Sequence, residues 1–239
     1  MQSNRARHLR VNQGVFISGA SGSGKSRMMA RLAAFWKRRI LVDPTFSFEA
    51  EARARKFDEA AKYLQTRWKQ NAAIDLACTF KEDEEYNRLF AGIYAVATAT
   101  VGESIPLCVG IDEVDLWSGP KYIAPPLSKL LRYGRHYGVS WMAACRADVQ
   151  TNRDVRMNAT ETILFQQGML STEMRQMLKS AEAIRQTEMP EPFRLTRHGP
   201  NEPPEAVEGT HFLAVPEPFD VWLESWKTLA RESQPALAE

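Results

Sequence analysis

The chain has 239 residues, of which 44% are hydrophobic and 25% are charged, and its 31 Lys and Arg nearly balance its 29 Asp and Glu. This length and composition are typical of a single globular domain. A formal net charge of only +2 gives no global reason to expect a polyanionic partner, so any nucleic-acid contact must come from a local basic patch.

Apolar runs alternate with amphipathic segments along most of the chain, which predicts alternating strands and helices. The predicted strands cover 15–17, 40–42, 73–80, 107–111, 139–144, 162–165 and 211–215, and the predicted helices cover about 25–38, 48–70, 83–98, 127–136, 149–158 and 171–186. Residues 1–10 are predicted to be a basic arm, 197–210 a loop, and the apolar residues of 219–229 one face of a C-terminal helix. Strands of continuous apolar residues between helices indicate an α/β fold with a parallel sheet covered on both faces.

The ends and the cysteines add three expectations. The first residues are basic but lack the apolar core of a signal peptide, and no stretch approaches the roughly 18 apolar residues of a membrane helix. Cys78, Cys108 and Cys145 lie far apart in apolar runs, without the spacing of metal ligands. We therefore expect a cytoplasmic protein with no membrane span and with buried, free thiols.

Residues 19–26, GASGSGKS, fit the P-loop pattern G-x-x-x-x-G-K-[ST] between a predicted strand and a predicted helix. The glycines let several backbone N–H groups converge on one anion, and the helix N-terminus adds its dipole. Lys25 is expected to reach the β- and γ-phosphates of ATP, and the Ser26 hydroxyl to ligate Mg²⁺. The predicted nucleotide-binding residues are Gly19, Ala20, Ser21, Gly22, Ser23, Gly24, Lys25, Ser26 and Arg27.

A second motif, LCVGIDE at 107–113, is an apolar strand that ends in two carboxylates, the pattern known as Walker B. Asp112 is expected to lie beside Ser26 and to hold Mg²⁺ through water, and Glu113 to polarise a water for attack on the γ-phosphate. Asp115 is interpreted as a surface or capping residue. The two motifs together predict an ATPase in which Lys25 and Glu113 are catalytic.

The segment 129–165, KLLRYGRHYGVSWMAACRADVQTNRDVRMNATETILF, resembles the HerA/FtsK superfamily, in which a helix carries "GR.YG" and the next strand ends in a "TQRP"-like tetrapeptide. With both phosphate motifs, the likeness covers residues about 13–180. It implies a P-loop NTPase αβα sandwich in three layers with a mainly parallel sheet, working as a ring of five or six subunits. It also implies an arginine that reaches the nucleotide of the neighbouring subunit, for which Arg135 is the first candidate and Arg132 and Arg146 are weaker ones.

The strand tip departs from the superfamily pattern. Where the superfamily usually has a glutamine that senses the γ-phosphate, this chain has Cys145, a weak hydrogen-bonding group. Cys145 is thus the sensor candidate by position. Either Arg146 takes part in sensing, or sensing is done differently.

Within the superfamily, the chain most resembles the genome-packaging ATPases of tailless, membrane-containing double-jelly-roll viruses, because it shows none of the membrane segments or extra barrels of the other members. The resemblance implies a motor that moves double-stranded DNA without sequence specificity, in the host cytoplasm or at a capsid vertex, with vertex or portal proteins as further partners. DNA would be contacted through its phosphates by the loop 117–126, where Lys121 is the only cation and Tyr122 stands beside it.

Other functions fit the same motifs. The chain could be an ATPase that acts on protein in secretion or virion extrusion, or a nucleotide-binding assembly switch without motor activity. A small-molecule kinase is the weakest alternative, because no arginine-rich lid over an acceptor site is visible. The expected organisation is a basic arm at 1–10, a P-loop ATPase domain at 11–215, and a C-terminal helix and tail at 216–239.

Overall fold

The computed structural model describes residues 14–99, 106–165, 171–172, 193–197 and 212–215. Its strands are β1 (Gly14–Ser18), β2 (Arg38–Val42), β3 (Ala52–Ala54), β4 (Ile74–Cys78), β5 (Leu107–Ile111), β6 (Val139–Cys145), β7 (Glu161–Leu164), β8 (Phe193–Arg197) and β9 (Phe212–Val215). Its α-helices are α1 (Lys25–Ala33), α2 (Phe57–Lys69), α3 (Asp83–Ala99), α4 (Pro125–Tyr133) and α5 (Arg153–Asn158). Short 3₁₀ turns at Val114–Leu116, Gly134–Tyr137 and Asp148–Gln150 complete the described elements.

The strands form one sheet in the order β3-β4-β2-β5-β6-β1-β7-β8-β9. The first seven of these strands pair in parallel, and β8 and β9 then add an antiparallel margin beside β7. Strand β6 lies between β5 and β1, so the strand that leads into the P-loop and the strand that ends in Asp112 are separated by one strand. Because the carboxyl ends of parallel strands share one edge of a sheet, the tips of β1, β6 and β5 meet there.

Two apolar cores lie on opposite faces of the sheet, because successive residues of a strand point to opposite faces. Within β1, Val15 and Ile17 belong to the core covered by α1, whereas Phe16 belongs to the core covered by α2, α3, α4 and α5. Helices therefore flank the sheet on both sides. The αβα sandwich of three layers and the mainly parallel sheet predicted from the sequence are confirmed.

A close approach at Gly110 lets α1 lie directly on β5. A Cβ atom at this position would come within 2.8 Å of Leu41 Cδ2 and 3.1 Å of Met29 Sδ, so a side chain would push the helix away from the strand. Met29 lies in the first turns of α1 and is fully buried. The contact sets the distance between the start of α1 and the tip of β5, which is the distance on which the candidate site depends.

Several elements differ from the sequence prediction. The first helix ends at Ala33 instead of 38, because the chain turns there to start β2 at Arg38. The predicted helix 48–70 is wrong in its first part, where β3 pairs with β4 and α2 begins only at Phe57. Strand β8 was not predicted, whereas β9 was.

The error at 48–56 has a physical cause. The Ala, Glu and Arg content favours a helix, but tertiary contacts override so weak a preference. Arg53 donates to the carboxylate of Asp43, to the Thr79 hydroxyl and to the Phe48 carbonyl, which holds this segment against the end of β2. These partners are remote in sequence, so composition could not reveal them.

Parts of the prediction lie outside the described residues. These are the arm 1–10, the loop 198–210, the C-terminal segment 216–239 and all but two residues of the predicted helix 171–186. Within the described part of the chain, no helix has the length and apolar character needed to cross a membrane.

Candidate active site

The P-loop joins β1 to α1 through a tight, glycine-dependent turn. Gly22 and Gly24 have φ of +78° and +99°, in the left-handed region that side chains disfavour, and Gly24 is the N-cap of α1. Lys25 begins the helix, and its Nζ donates a hydrogen bond of 2.9 Å to the Ala20 carbonyl across the loop. The lysine ammonium thus lies over the loop that the sequence predicts to hold phosphate.

Ser26 and Asp112 meet although they are 86 residues apart. The Ser26 hydroxyl donates to Asp112 Oδ2 at 2.8 Å, and the Asp112 backbone N–H is held by the Val42 carbonyl at 3.0 Å. Asp112 is buried, and burial raises the pKa of its carboxyl, an effect that the hydrogen bond from Ser26 opposes. A hydroxyl oxygen and a carboxylate oxygen side by side are hard ligands of the kind that Mg²⁺ prefers.

Lys25 lies in a mixed electrostatic environment. Burial lowers the pKa of its ammonium, while the nearby carboxylates of Glu113 and Asp112 raise it. The lysine is buried beside two anions of the second motif. The P-loop and the acidic pair, which the sequence connects only by motif order, are therefore within electrostatic range of each other.

Glu113 is held by the residue that follows β6. Its backbone has a positive φ of 51°, and its N–H donates to Asp112 Oδ1 at 3.1 Å. Arg146 Nε donates to Glu113 Oε2 at 2.8 Å. The side chain of Glu113 is 17% exposed and that of Arg146 is 59% exposed, so the carboxylate is largely enclosed while the guanidinium faces solvent.

Asp115 also belongs to this region. The sequence analysis missed this, because it interpreted Asp115 as a surface or capping residue. Its side chain is half-buried, and its Oδ1 atom is enclosed without a hydrogen-bond partner among the described residues. Burial raises the pKa of the Asp115 carboxyl, with Glu113 adding to the rise and Arg146 and Lys25 opposing it. A usable signal was its spacing, because a residue three positions after Asp112 returns to the same side across a 3₁₀ turn.

Cys145, the sensor candidate, turns away from solvent at the tip of β6. It is fully buried, and its thiol donates to the Ala147 carbonyl at 3.3 Å. Burial raises the pKa of this thiol to about 12, so it stays protonated at neutral pH. All three cysteines are free and buried, as the sequence predicts.

The other candidate arginines lie around α4 and at the P-loop. Arg132 is ion-paired with Asp154 on the surface, and Arg135 is half-buried in the 3₁₀ turn that follows the helix. Arg27 is exposed in the first turn of α1. Of the three candidates for an intersubunit arginine, Arg146 is the one that contacts Glu113 within the same chain.

The loop after β5 combines a buried anchor with an exposed tip. Trp117 is buried, its indole N–H donates to Asp83 Oδ1 at 3.2 Å, and its ring packs on Tyr86. Lys121 and Tyr122 are exposed at the other end of the loop. The two DNA-contact candidates are thus presented to solvent by a loop that is fixed at its base.

Comparison with known proteins identifies the fold. No protein-family model matches the sequence, and no curated protein matches it. The genome-packaging NTPase B204 of Sulfolobus turreted icosahedral virus 2 in complex with AMPPCP is similar in structure, with a TM-score of 0.56 and 17% identity over 78% of this chain and 92% of that chain. The same protein in complex with AMP has a TM-score of 0.58 and 14% identity over 86% of this chain and 98% of that chain.

B204 of Sulfolobus turreted icosahedral virus, a DNA-packaging ATPase, has a TM-score of 0.50 and 13% identity over 79% of this chain and 94% of that chain. This chain therefore has the P-loop NTPase fold of the viral genome-packaging ATPases. The resemblance drawn from the sequence motifs is confirmed at the level of the fold.

Proposed function

We propose that this protein is an ATP-driven motor that moves double-stranded DNA, and that its task is to package a viral genome into a preformed capsid. The observation that carries the proposal is the meeting of Ser26, Asp112 and Glu113 at the edge of the sheet where the P-loop lies. A chain that only bound nucleotide would have no need of a second carboxylate beside the first. The fold shared with viral packaging ATPases supports the choice of DNA as the cargo.

The P-loop residues fit a triphosphate. Gly22 and Gly24 leave the loop free of Cβ atoms at its two left-handed positions. Ser23 Oγ is buried without a hydrogen-bond partner among the described residues, and a phosphate oxygen would supply one. Lys25 Nζ is held by a neutral carbonyl, which a charged phosphate would readily displace.

The metal-binding residues also fit their role. Ser26 and Asp112 would hold Mg²⁺, Asp112 through a water, and the bound ion would neutralise charge on the phosphates. Lys25 would stabilise the negative charge that develops on the transferred phosphoryl group. Glu113 would accept a hydrogen bond from the attacking water and orient it in line with the bond that breaks.

The motor requires a ring, in which one subunit completes the site of the next. Arg135 is the first candidate to reach the neighbouring nucleotide, where a guanidinium can raise the rate by orders of magnitude. Lys121 and Tyr122 are the proposed DNA contacts, since they are exposed on a loop that starts four residues after Glu113. Contacts to phosphate would be independent of sequence and sensitive to salt.

The test is ATP hydrolysis by the purified chain with and without duplex DNA, at two salt concentrations. We expect DNA to stimulate hydrolysis, high salt to suppress the stimulation, and Glu113→Gln to abolish turnover while ATP still binds. Lys121→Ala should weaken the stimulation, whereas Lys69→Ala, which replaces another exposed lysine at the end of α2, should not. Hydrolysis that ignores DNA contradicts the DNA motor, and a Glu113→Gln variant that keeps its biological effect favours an assembly switch.

A further inference from the structure

We propose that Arg146 is a cis switch that holds Glu113 until the γ-phosphate of ATP draws the guanidinium away. This inference rests on the proposed ATPase function and adds to it a regulatory residue within the same subunit. It assigns γ-phosphate sensing to Arg146 instead of to Cys145. It also gives Arg146 a role at its own active site instead of at the neighbouring one.

The first step is the position of Arg146. It follows the last residue of β6, the strand that lies between β5 and β1. The tip of β5 carries Asp112 and Glu113, and the tip of β1 leads into the P-loop. A long side chain at this point has the acidic pair on one side and the phosphate-binding loop on the other.

The second step is that the ion pair restrains the residue that should activate water. The 2.8 Å bond from Arg146 Nε uses one carboxylate oxygen of Glu113. A general base must accept a hydrogen bond from the water that it activates, and the guanidinium already occupies one of the two oxygens that could accept it. While the pair is intact, the Glu113 carboxylate is held toward Arg146 and has only its other oxygen left to orient a water.

The third step is that the pair is easily exchanged. Arg146 is 59% exposed, and an ion pair with such an exposed partner contributes little to stability. A triphosphate carries more negative charge than one carboxylate and offers an arginine bidentate hydrogen bonds. Since Glu113 is only 17% exposed, we expect the guanidinium to move and the carboxylate to stay.

The fourth step is that Cys145 is poorly suited to the sensing role. Its thiol is buried, donates to the Ala147 carbonyl and stays protonated. A thiol is also a weak hydrogen-bond donor. Arg146 is the neighbouring residue at the same strand tip with an exposed, charged group.

The experiment is a double-mutant cycle on nucleotide affinity. Dissociation constants for ATPγS and ADP are measured with wild type, Arg146→Ala, Glu113→Gln and the double variant, with Mg²⁺ present. We expect Arg146→Ala to weaken ATPγS binding about tenfold, as for the loss of a charge-assisted contact, and to leave ADP binding nearly unchanged. We expect Glu113→Gln to tighten ATPγS binding more strongly when Arg146 is present than when it is replaced by alanine, because only then is a guanidinium released.

Arg88→Ala is the matched control, since Arg88 is 50% exposed and ion-paired with Asp58 far from the P-loop in sequence. It should change neither dissociation constant. Arg146→Gln is measured alongside, so that the result does not depend on one variant being well folded. The melting temperatures of all variants show whether each one is folded.

Equal weakening of ATPγS and ADP by Arg146→Ala would overturn the switch, and so would an equal effect of Glu113→Gln in both backgrounds. In either case a wild type that still hydrolyses ATP leaves the proposed function intact. A wild type that binds neither nucleotide would overturn the proposed function and the switch together.

Discussion

Replacing Asp43 by alanine tests how the segment after β2 is held. The Asp43 carboxylate is fully buried and accepts hydrogen bonds from the Ser47 N–H at 2.7 Å, the Phe48 N–H at 3.2 Å and Arg53 Nη1 at 2.7 Å. The substitution leaves the Phe48 N–H buried without its partner and removes the counter-charge of Arg53. The Ser47 N–H can turn to water, because Ser47 is exposed.

The magnitude follows from these partners. Breaking a fully buried ion pair costs about 3–5 kcal/mol, because the remaining charge is left buried. Arg53 is 25% exposed and keeps the Thr79 hydroxyl and the Phe48 carbonyl as partners. The cost of leaving its charge without the Asp43 carboxylate is therefore smaller than for a fully buried pair. The orphaned Phe48 N–H adds about 1–3 kcal/mol. Together these give a loss of about 3 kcal/mol, a large fraction of the usual 5–15 kcal/mol stability of a domain.

Urea denaturation followed by tryptophan fluorescence measures this loss as a change in the free energy of unfolding. Asp58→Ala is the control, because Asp58 is 84% exposed in its ion pair with Arg88 and its loss should cost less than about 1 kcal/mol. If Asp43→Ala falls too close to unfolding to be measured, Asp43→Asn retains a carbonyl acceptor and should lose roughly half as much. A change of less than about 1 kcal/mol for Asp43→Ala would refute the reasoning, since that is the scale of an average substitution.

Three further outcomes are expected. Gly14→Ala should destabilise the fold by about 1–3 kcal/mol, as for overpacking, because the added Cβ would lie 2.3 Å from the fully buried ring of Trp141. An unchanged melting temperature would contradict this close approach of Trp141 to Gly14. Gly24→Ala forces a side chain into a left-handed conformation at φ +99°, so ATPγS binding should weaken while the chain stays folded, and equal affinity would argue against phosphate binding by this loop. Ellman's reagent should react with the thiols of Cys78, Cys108 and Cys145 only after unfolding. Rapid labelling of the native protein would contradict their burial.

The two motifs of the candidate site and most of the strands could be predicted from the sequence. The spacing of Gly19, Gly24, Lys25 and Ser26 identified the P-loop, because the required backbone conformations depend on nearest neighbours. The apolar run before Asp112 identified the strand, since side-chain alternation and burial are written in consecutive residues. The parallel sheet followed from the alternation of such strands with helices.

The contacts between these elements were decided only by the tertiary structure. The sequence carries no sign that Arg146 contacts Glu113, and the sequence analysis interpreted Asp115 as a surface or capping residue. The contact between Arg146 and Glu113 depends on β6 lying beside β5, which brings the two residues together over a separation of 33 residues. Residue patterns encode the conformation of a segment, whereas the order of strands in the sheet determines which distant side chains meet. The pairing of Arg146 with Glu113 at the candidate site is therefore decided by the order of the strands.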